Sequence, residues 1–341
     1  LAAAIAAGNR VIIKPSEFAP ATAEFIAKLM DDLFDADYIA VVTGGPEVGQ
    51  SFASLPLDHL LFTGATNVGR HVMRAAAENL LPVTLELGGK SPVIIAGDYS
   101  LAKAVSSILS GKLLNAGQTC IAPDYLMIPR GRSDELVRFA RAAVAKMYPA
   151  IAGNEDYTSI INDRHYERLR SYLVDAREKG AALVELNPSA EDFDPAARKI
   201  PPTLVLNPSD DMKIMQEEIF GPILPVKTYE EVDDAVAYIN DHPRPLALYV
   251  YSDDADLLDK ILHQTVSGGV AINEVMYQFV QDNLPFGGIG PSGMGAYHSR
   301  EGFETFSLKK PVFKQAKLNS ASLLRPPYTW LAKKMIDWMI G

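Results

Sequence analysis

The stretch His59-Leu-Leu-Phe-Thr-Gly-Ala-Thr-Asn-Val-Gly69 reads as a strand that runs directly into a helix. His59–Thr63 is an apolar run, Gly64-Ala-Thr-Asn67 turns the chain, and Val68, Val72, Met73 and Ala76 recur at helical spacing. The same alternation lies on both sides. Upstream, Asn9–Lys14 is a short β-branched run read as a buried strand, and Ser16 is placed to cap a helix carried by Ala23, Phe25, Ile26 and Leu29. Tyr38–Val42 is a second strand, broken at Thr43-Gly-Gly-Pro46 ahead of a short helix reaching about Ala53. Downstream, Val83–Leu87 is a fourth strand. Strands and helices alternating this densely mean βαβ units on a parallel sheet, so the fold class expected is α/β. Ligands on such sheets bind beyond the carboxyl ends of the strands. Lys14, Gly45, Gly64 and Glu86 all fall there and are expected to share one crevice.

The G-x-G-x-x-G fingerprint of dinucleotide-binding turns is absent. The phosphate-binding candidate is Phe62-Thr-Gly-Ala-Thr-Asn-Val-Gly69, where the free N–H groups and dipole of a helix N-terminus favour an anion. As a bare pattern it says little, because βα turns carry Gly and Thr simply to turn.

The one cysteine in 341 residues lies in Asn115-Ala-Gly-Gln-Thr-Cys-Ile-Ala-Pro-Asp124. An apolar helical pattern (Val105, Ile108, Leu109, Leu113) runs into it and stops at Asn115-Ala116-Gly117, a helix-ending cluster. Tyr125–Ile128 then reads as a strand closed by Pro129. Cys120 is therefore expected on a tight turn between helix and strand, accessible, with its backbone N–H aimed at whatever the sulfur attacks. The plain alternative is a buried structural cysteine, and for a lone Cys that is the commoner case. A second segment tips the balance: Val83-Thr-Leu-Glu-Leu-Gly-Gly-Lys-Ser-Pro92 puts Glu86 at a strand end beside two glycines, where a carboxylate can serve as a general base. Alone, Glu86 reads more readily as an ordinary salt-bridge partner.

Together these two segments resemble the aldehyde dehydrogenase superfamily, whose signatures are an L-E-L-G-G-K-S-P block and a G-Q-x-C loop. Both are present in order and at the family's spacing. The resemblance implies an aldehyde dehydrogenase-like fold: a doubly wound parallel-sheet cofactor domain, incomplete in this chain, joined to an α/β catalytic domain. It implies Cys120 as nucleophile and Glu86 as base. It places the dinucleotide at the Phe62–Gly69 segment, with Gly64, Ala65 (Ser is more usual in the family), Val68, Gly69 and Leu87 as contacts beside Gly45. Lys14-Pro-Ser-Glu17 matches the family's K-P-S-E near the adenosine ribose, where the Glu17 carboxylate repels a 2′-phosphate and favours NAD over NADP. Glu217-Glu-Ile-Phe-Gly-Pro222 matches E-E-I-F-G-P, in which Glu218 holds the nicotinamide ribose and Phe220 lies beside the ring. Without the resemblance these two would read as a solvated acid and a core aromatic.

The run Gly293-Met-Gly-Ala-Tyr-His-Ser-Arg-Glu-Gly-Phe-Glu-Thr-Phe-Ser307 is similar to the class 3 branch of fatty and aromatic aldehyde dehydrogenases, and within it to the bacterial coniferyl aldehyde dehydrogenases. The activity implied is NAD(P)-dependent oxidation of an aromatic or medium- to long-chain aliphatic aldehyde to the acid. Competing readings are a non-catalytic, dinucleotide-binding relative of the fold and an acylating enzyme that passes its acyl group to coenzyme A. Glu86 argues against the second, because acylating relatives typically lack it. The expected organisation is a cofactor-binding portion over 1–88, a catalytic domain over 89–284 and a return segment with a subunit-contact tail over 285–341.

In the catalytic part, Pro92–Ala96 is a strand, Asp98 or Ser100 caps the helix that delivers Cys120, and Ser133–Tyr148 is a helix with Leu136, Phe139, Ala143 and Met147 inward. A further helix passes through Leu169, Tyr172 and Leu173, Asn187–Ile200 is a surface loop, and Thr203–Leu206 is a strand. Tyr277 and Phe279 are candidates for an aromatic pocket or for core.

Hydrophobic content of 48% and charged content of 22% suit a globular protein, and a net charge of −10 argues against a nucleic-acid partner. A single cysteine excludes an intrachain disulfide and fits a cytoplasmic setting. The six histidines form no metal-ligand motif. The chain opens inside an apolar helix, Leu1–Gly8, without a basic leader, and is expected to be the interior of a longer protein. In the family a P-W-N-F-P segment carrying the second oxyanion donor precedes this point. The tail stripe Leu331, Met335 and Trp338 is read as a contact in a homodimer rather than a membrane anchor, since no span approaches bilayer length.

Overall fold

The computed structural model of the chain describes residues 1–319 and 321–341; Ser320, within the expected return segment, lies outside the described residues. Two units are distinguished, Leu1–Phe306 and Ser307–Gly341. The first begins with helix α1 (Ala2–Ala6) and strand β1 (Val11–Ile13), followed by α2 (Pro20–Leu33), β2 (Ile39–Val41), α3 (Pro46–Ala53), β3 (Leu60–Gly64), α4 (Thr66–Glu78) and β4 (Val83–Leu87). This is the expected alternation, and β4 has the expected bounds. The pairing differs. β1 pairs only with β2, in parallel, while β3 and β4 belong to another sheet, so the strands ending at Lys14 and at Gly64 are not joined by backbone hydrogen bonds. With one neighbour and little cover, β1 is not the buried strand expected: Ile12 is 41% exposed. Nor does Ser16 cap α2. Ala19 is the N-cap and Pro20 the first helical residue, because proline's fixed φ and missing N–H suit that position.

The remainder of the unit is built on one seven-stranded sheet. In chain order come β5 (Pro92–Ile95), α5 (Leu101–Leu113), β6 (Tyr125–Pro129), α6 (Ser133–Met147), α7 (Asp163–Glu178), β7 (Ala182–Glu185), β8 (Thr203–Leu206), α8 (Lys213–Gln216), β9 (Ile223–Tyr229), α9 (Val232–Asn240), β10 (Ala247–Tyr251), α10 (Ala255–Gln264) and β11 (Gly269–Ile272). The strand order is β11-β10-β5-β6-β9-β8-β7, parallel throughout except the β7–β8 pair. The period-2 geometry of a strand sends alternate residues to opposite faces. Val93, Leu126 and Tyr249 enter the core shared with α5 and α6, whereas Ile94, Met127 and Val250 enter the core shared with α7 and α9. A sheet covered on both faces needs continuous apolar strands, which is how Pro92–Ile95 and Tyr125–Pro129 read.

Two local expectations are corrected and one is borne out in part. α6 buries Leu136, Ala140 and Val144 most deeply, with the expected Phe139, Ala143 and Met147 partly buried against the same core. Ser100 is the N-cap of α5 but makes no side-chain cap, and Asp98 accepts hydrogen bonds from Ser252 and the N–H groups of Asp253 and Asp254 instead. Strands β7, β9 and β10 lie where the sequence reading assigned none.

The return segment closes the unit. β12 (Gly293–Met294) runs antiparallel to β4, with Gly293 opposite Glu86, and α11 (Ser299–Thr305) follows. In the second unit, α12 (Trp330–Ile340) is capped by Thr329, and its more covered side is Ala332, Met335 and Ile336. No helix among the described residues is long and apolar enough to cross a membrane.

Candidate active site

Helix α5 ends in a left-handed reversal. Asn115 and Ala116 both have φ of +52° and Gly117 +76°, which turns the chain sharply enough to present Gln118-Thr-Cys120 before β6 begins. Gln118 fixes this loop. Its amide donates to the carbonyls of Asn115 and Ser159, each at 3.1 Å, and its carbonyl accepts from Ile161 N at 2.9 Å. The exit is fixed by Asp124 N donating to Ser91 O at 2.8 Å. Cys120 is on the expected turn, but it is half-buried and packs against the core rather than standing open. Burial pushes its thiol up to about 11, with the Glu218 and Glu86 carboxylates adding to the effect.

Glu86, on β4, is 3% exposed, and neither carboxyl oxygen has a hydrogen-bond partner among the described residues. An unpaired buried carboxylate is expensive, so burial raises Glu86 to about 8. Glu218 lies against the Gly88–Gly89 backbone that follows β4. Burial and then Asp124 raise it to about 7, while the Gly89 N–H, Lys90 and Arg168 pull the other way. Tyr297, in the return segment, is pushed up to about 12 by burial and then by Glu86 and Cys120. A thiol, two carboxyls with raised pKa and a phenol thus feel one another in one place.

Beside them lies an aromatic group. Phe279 meets Phe286 edge-on at 5.0 Å, Phe286 stacks on His298 at 5.7 Å and meets Tyr297 at 5.7 Å. Tyr277 is apart from it, in a shallow depression of about 610 Å³ lined by Lys103, Ser106 and Glu274.

The remaining sequence-derived residues are placed as follows. Lys14 Nζ donates to Glu17 Oε2 at 2.8 Å just past β1, and this bond with Lys14 holds Glu17 below its usual range. Gly45 is the N-cap of α3. Gly64 ends β3, and Ala65 is the N-cap of α4 with no side chain capping it. Val68 is exposed in the first turn of α4. Gly69 and Leu87 meet each other: a Cβ on Gly69 would lie 2.5 Å from Leu87 Cδ2, so their side-chain positions serve the close packing of α4 on β4. Phe220 is 38% exposed and has φ of +50°.

A family profile described as the aldehyde dehydrogenase family matches residues 1–312. The chain belongs to the aldehyde dehydrogenase family. Its activity is the NAD(P)-dependent oxidation of an aldehyde. The coniferyl aldehyde dehydrogenase of Pseudomonas sp. strain HR199 is 50% identical over 330 residues, 96% of this chain and 69% of the relative. Among solved structures, a substrate-bound state of Staphylococcus aureus AldH superposes with a TM-score of 0.91 at 42% identity, covering 99% of this chain and 72% of that one. The Mycobacterium tuberculosis aldehyde dehydrogenase complexed with NAD+ gives 0.81 at 34% identity, covering 91% and 64%.

The residues present fit a nicotinamide dinucleotide. The uncapped N-terminus of α4 directly after β3 suits a pyrophosphate, and the Lys14–Glu17 pair offers both a donor and acceptors to a hydroxylated sugar.

Sequence reasoning missed Arg168, Tyr297 and Lys112. Lys112 left a readable trace: it sits four residues after Ile108, on the stripe that α5 buries, and is 1% exposed. Burial drives its ammonium down to about 8, with Asp124 and Glu218 opposing. Arg168 and Tyr297 left none, since the Glu218 and Ile219 carbonyls that Arg168 holds, and the Glu86 and Cys120 that Tyr297 feels, are distant from them in the chain.

Proposed function

We propose that this aldehyde dehydrogenase oxidises aromatic aldehydes of the coniferaldehyde type to their acids, with Cys120 as nucleophile and Glu86 as general base. The observation that carries it is a thiol pushed up to about 11 beside a buried carboxyl that burial raises to about 8, that carboxyl being one of the charges that raise the thiol. A thiol so high is not a nucleophile at neutral pH without a base, and a base is most effective when its pKa lies near the working pH.

As Glu86 draws off the proton, the Cys120 sulfur adds to the aldehyde carbon and the carbonyl oxygen becomes an alkoxide. The Cys120 backbone N–H is a donor to that oxygen. Conversion of the Cys120 thiohemiacetal to a thioester needs a hydride acceptor, which a bound nicotinamide would supply. Glu86 passes the thiol's proton to solvent and then takes a proton from water, whose oxygen adds to the thioester carbon; the C–S bond breaks, Glu86 returns that proton to the departing sulfur, and the acid leaves with the Cys120 thiol restored. Lys14, Glu17, Gly45, Gly64, Ala65, Val68, Gly69 and Leu87 would hold the dinucleotide along the strand ends, and Glu218 with Phe220 its nicotinamide half. Because the Lys14 bond keeps Glu17 charged, NAD is favoured over NADP, whose 2′-phosphate it repels.

The aromatic preference is supported by the name of the Pseudomonas relative and by the Phe279, Phe286 and His298 rings around Tyr297, the phenol that feels Cys120. Flat rings pack well in such company. A homodimer is part of the same reading, because Leu308, Val312, Phe313 and Leu318 are exposed in the second unit. A cytoplasmic location, which keeps the single thiol reduced, completes it.

The test is formation of NADH with coniferaldehyde, beside Cys120→Ala. The expected result is a rate in the parent that disappears in the variant. A rate that survives in Cys120→Ala would remove Cys120 from the mechanism.

A further inference from the structure

The peptide unit joining Glu218 to Ile219 is held at both ends. Its carbonyl, Glu218 O, accepts from Arg168 Nη1 at 3.1 Å, and its N–H, from Ile219, donates to Asp124 Oδ2 at 2.9 Å. The C=O and N–H of one trans peptide point in opposite directions, so the two side chains grip the unit from opposite sides. Each grip is itself anchored. Arg168 also donates through Nη2 to Ile219 O at 2.8 Å and through Nη1 to Tyr172 Oη at 3.0 Å, and Tyr172 Oη donates to Glu217 Oε2 at 2.5 Å. Asp124 pairs with Lys90, whose ammonium reaches on to Ile214 O at 2.7 Å and Glu217 O at 3.0 Å.

The register of these anchors matters. Lys90 is four residues beyond Glu86 and Asp124 four beyond Cys120, so the exits of both catalytic candidates converge on the pair that takes the Ile219 N–H. The next residue, Phe220, is in the left-handed region at φ +50°, a conformation that disfavours a bulky side chain and persists only where the surroundings impose it. Behind it, Gly117 of the cysteine turn backs onto Gly221: a Cβ there would lie 2.7 Å from the Gly221 carbonyl carbon.

We propose that Arg168 and Asp124 are positioning residues that fix the Glu218–Ile219 peptide from its two sides, and so set where the Glu218 carboxylate and the Phe220 ring meet the nicotinamide half of the cofactor. A peptide rotation there would swing both side chains away while leaving Cys120 on its own Gln118-locked turn. The clamp therefore governs cofactor affinity through Glu218 and Phe220, and reaches the thiol only through the field of the Glu218 carboxylate, which raises Cys120. It rests on the reading of Glu218 and Phe220 as cofactor residues.

The experiment is isothermal titration calorimetry of the full chain with NAD+, for the parent, Arg168→Gln, Arg168→Lys, and the control Arg170→Gln, whose arginine pairs with exposed Glu167 and lies over the Tyr166 ring, both on its own helix. Melting temperature and the rate of Cys120 alkylation by iodoacetamide are read on each. Arg168→Gln is expected to weaken NAD+ about tenfold, the scale of a lost charge-assisted hydrogen bond. Its alkylation rate should stay at or above that of the parent, because a displaced Glu218 carboxylate no longer raises the thiol. Arg168→Lys, which keeps the charge but cannot fork across two carbonyls, should fall between. Parent-like affinity in a folded Arg168→Gln would overturn the clamp, as would affinity, alkylation and melting temperature collapsing together in both variants, which would make Arg168 merely structural. A parent that binds no NAD+ would overturn the cofactor reading itself, and the clamp with it.

Discussion

Gly88 has no room for a side chain because Glu218 occupies the place: a Cβ on Gly88 would lie 2.5 Å from Glu218 Cδ and overlap its carboxylate. The glycine that follows the Glu86 strand is thus the seat of a second acid brought from a segment 130 residues later in the chain. Gly88→Ala should expel that carboxylate and weaken NAD+ about tenfold, on the order of one lost charged hydrogen bond, as read by calorimetry. An unchanged dissociation constant would show that the seat is irrelevant to the cofactor.

Glu86 makes stability depend on pH in a definite direction. Its folded pKa, about 8, lies above the ordinary carboxylate value of 4.5, so the native state holds the proton more tightly than the unfolded chain. The resulting stabilisation is complete below pH 4.5 and is lost as pH rises through 8. Glu86→Gln, which never ionises, escapes that loss. It should be more stable than the parent at pH 9, by at most about 5 kcal/mol, and much closer to it at pH 5. Urea unfolding at the two pH values checks this; a difference independent of pH would contradict it.

The same ionisation should govern rate. Aldehyde oxidation is expected to climb as pH passes about 8, where Glu86 becomes a carboxylate. In Glu86→Gln the rate should drop by roughly 10²–10⁴, the usual contribution of a general base, and lose that limb of the profile. An identical pH profile in parent and variant would assign the base elsewhere.

Much of this arrangement was legible in the sequence, and the reason is local. Val83–Leu87 and Pro92–Ile95 are short and apolar with clear stops, and Asn115-Ala-Gly117 announces its reversal in its residue types. Cys120 and Glu86 stand out because the segments carrying them are compact motifs. What was hidden is set by distant pairing. The separation of β1–β2 from β3–β4 depends on which strands meet, and the Glu218 seat on Gly88 on a contact between remote segments. The burial of Cys120 comes from the core packed against its turn. Lys112 was visible as a charge on an apolar stripe and was passed over.

Cofactor choice is tested at Glu17. Removing its charge in Glu17→Gln takes away the repulsion toward a 2′-phosphate, while the amide can still accept from Lys14. The ratio of kcat/KM for NADP to that for NAD should rise about tenfold, equivalent to about 1.4 kcal/mol. No change in the ratio would mean that Glu17 does not face the ribose.

The central claim is that the acyl group passes through Cys120 and is released by Glu86. It is tested most directly by mass spectrometry of Glu86→Gln after mixing with coniferaldehyde and NAD+ at pH 10, where the Cys120 thiol, relieved of the Glu86 charge, ionises without a base. The account predicts an acyl adduct on the Cys120 peptide that accumulates in the variant and is cleared in the parent. NADH released by the variant with Cys120 unmodified throughout would contradict it.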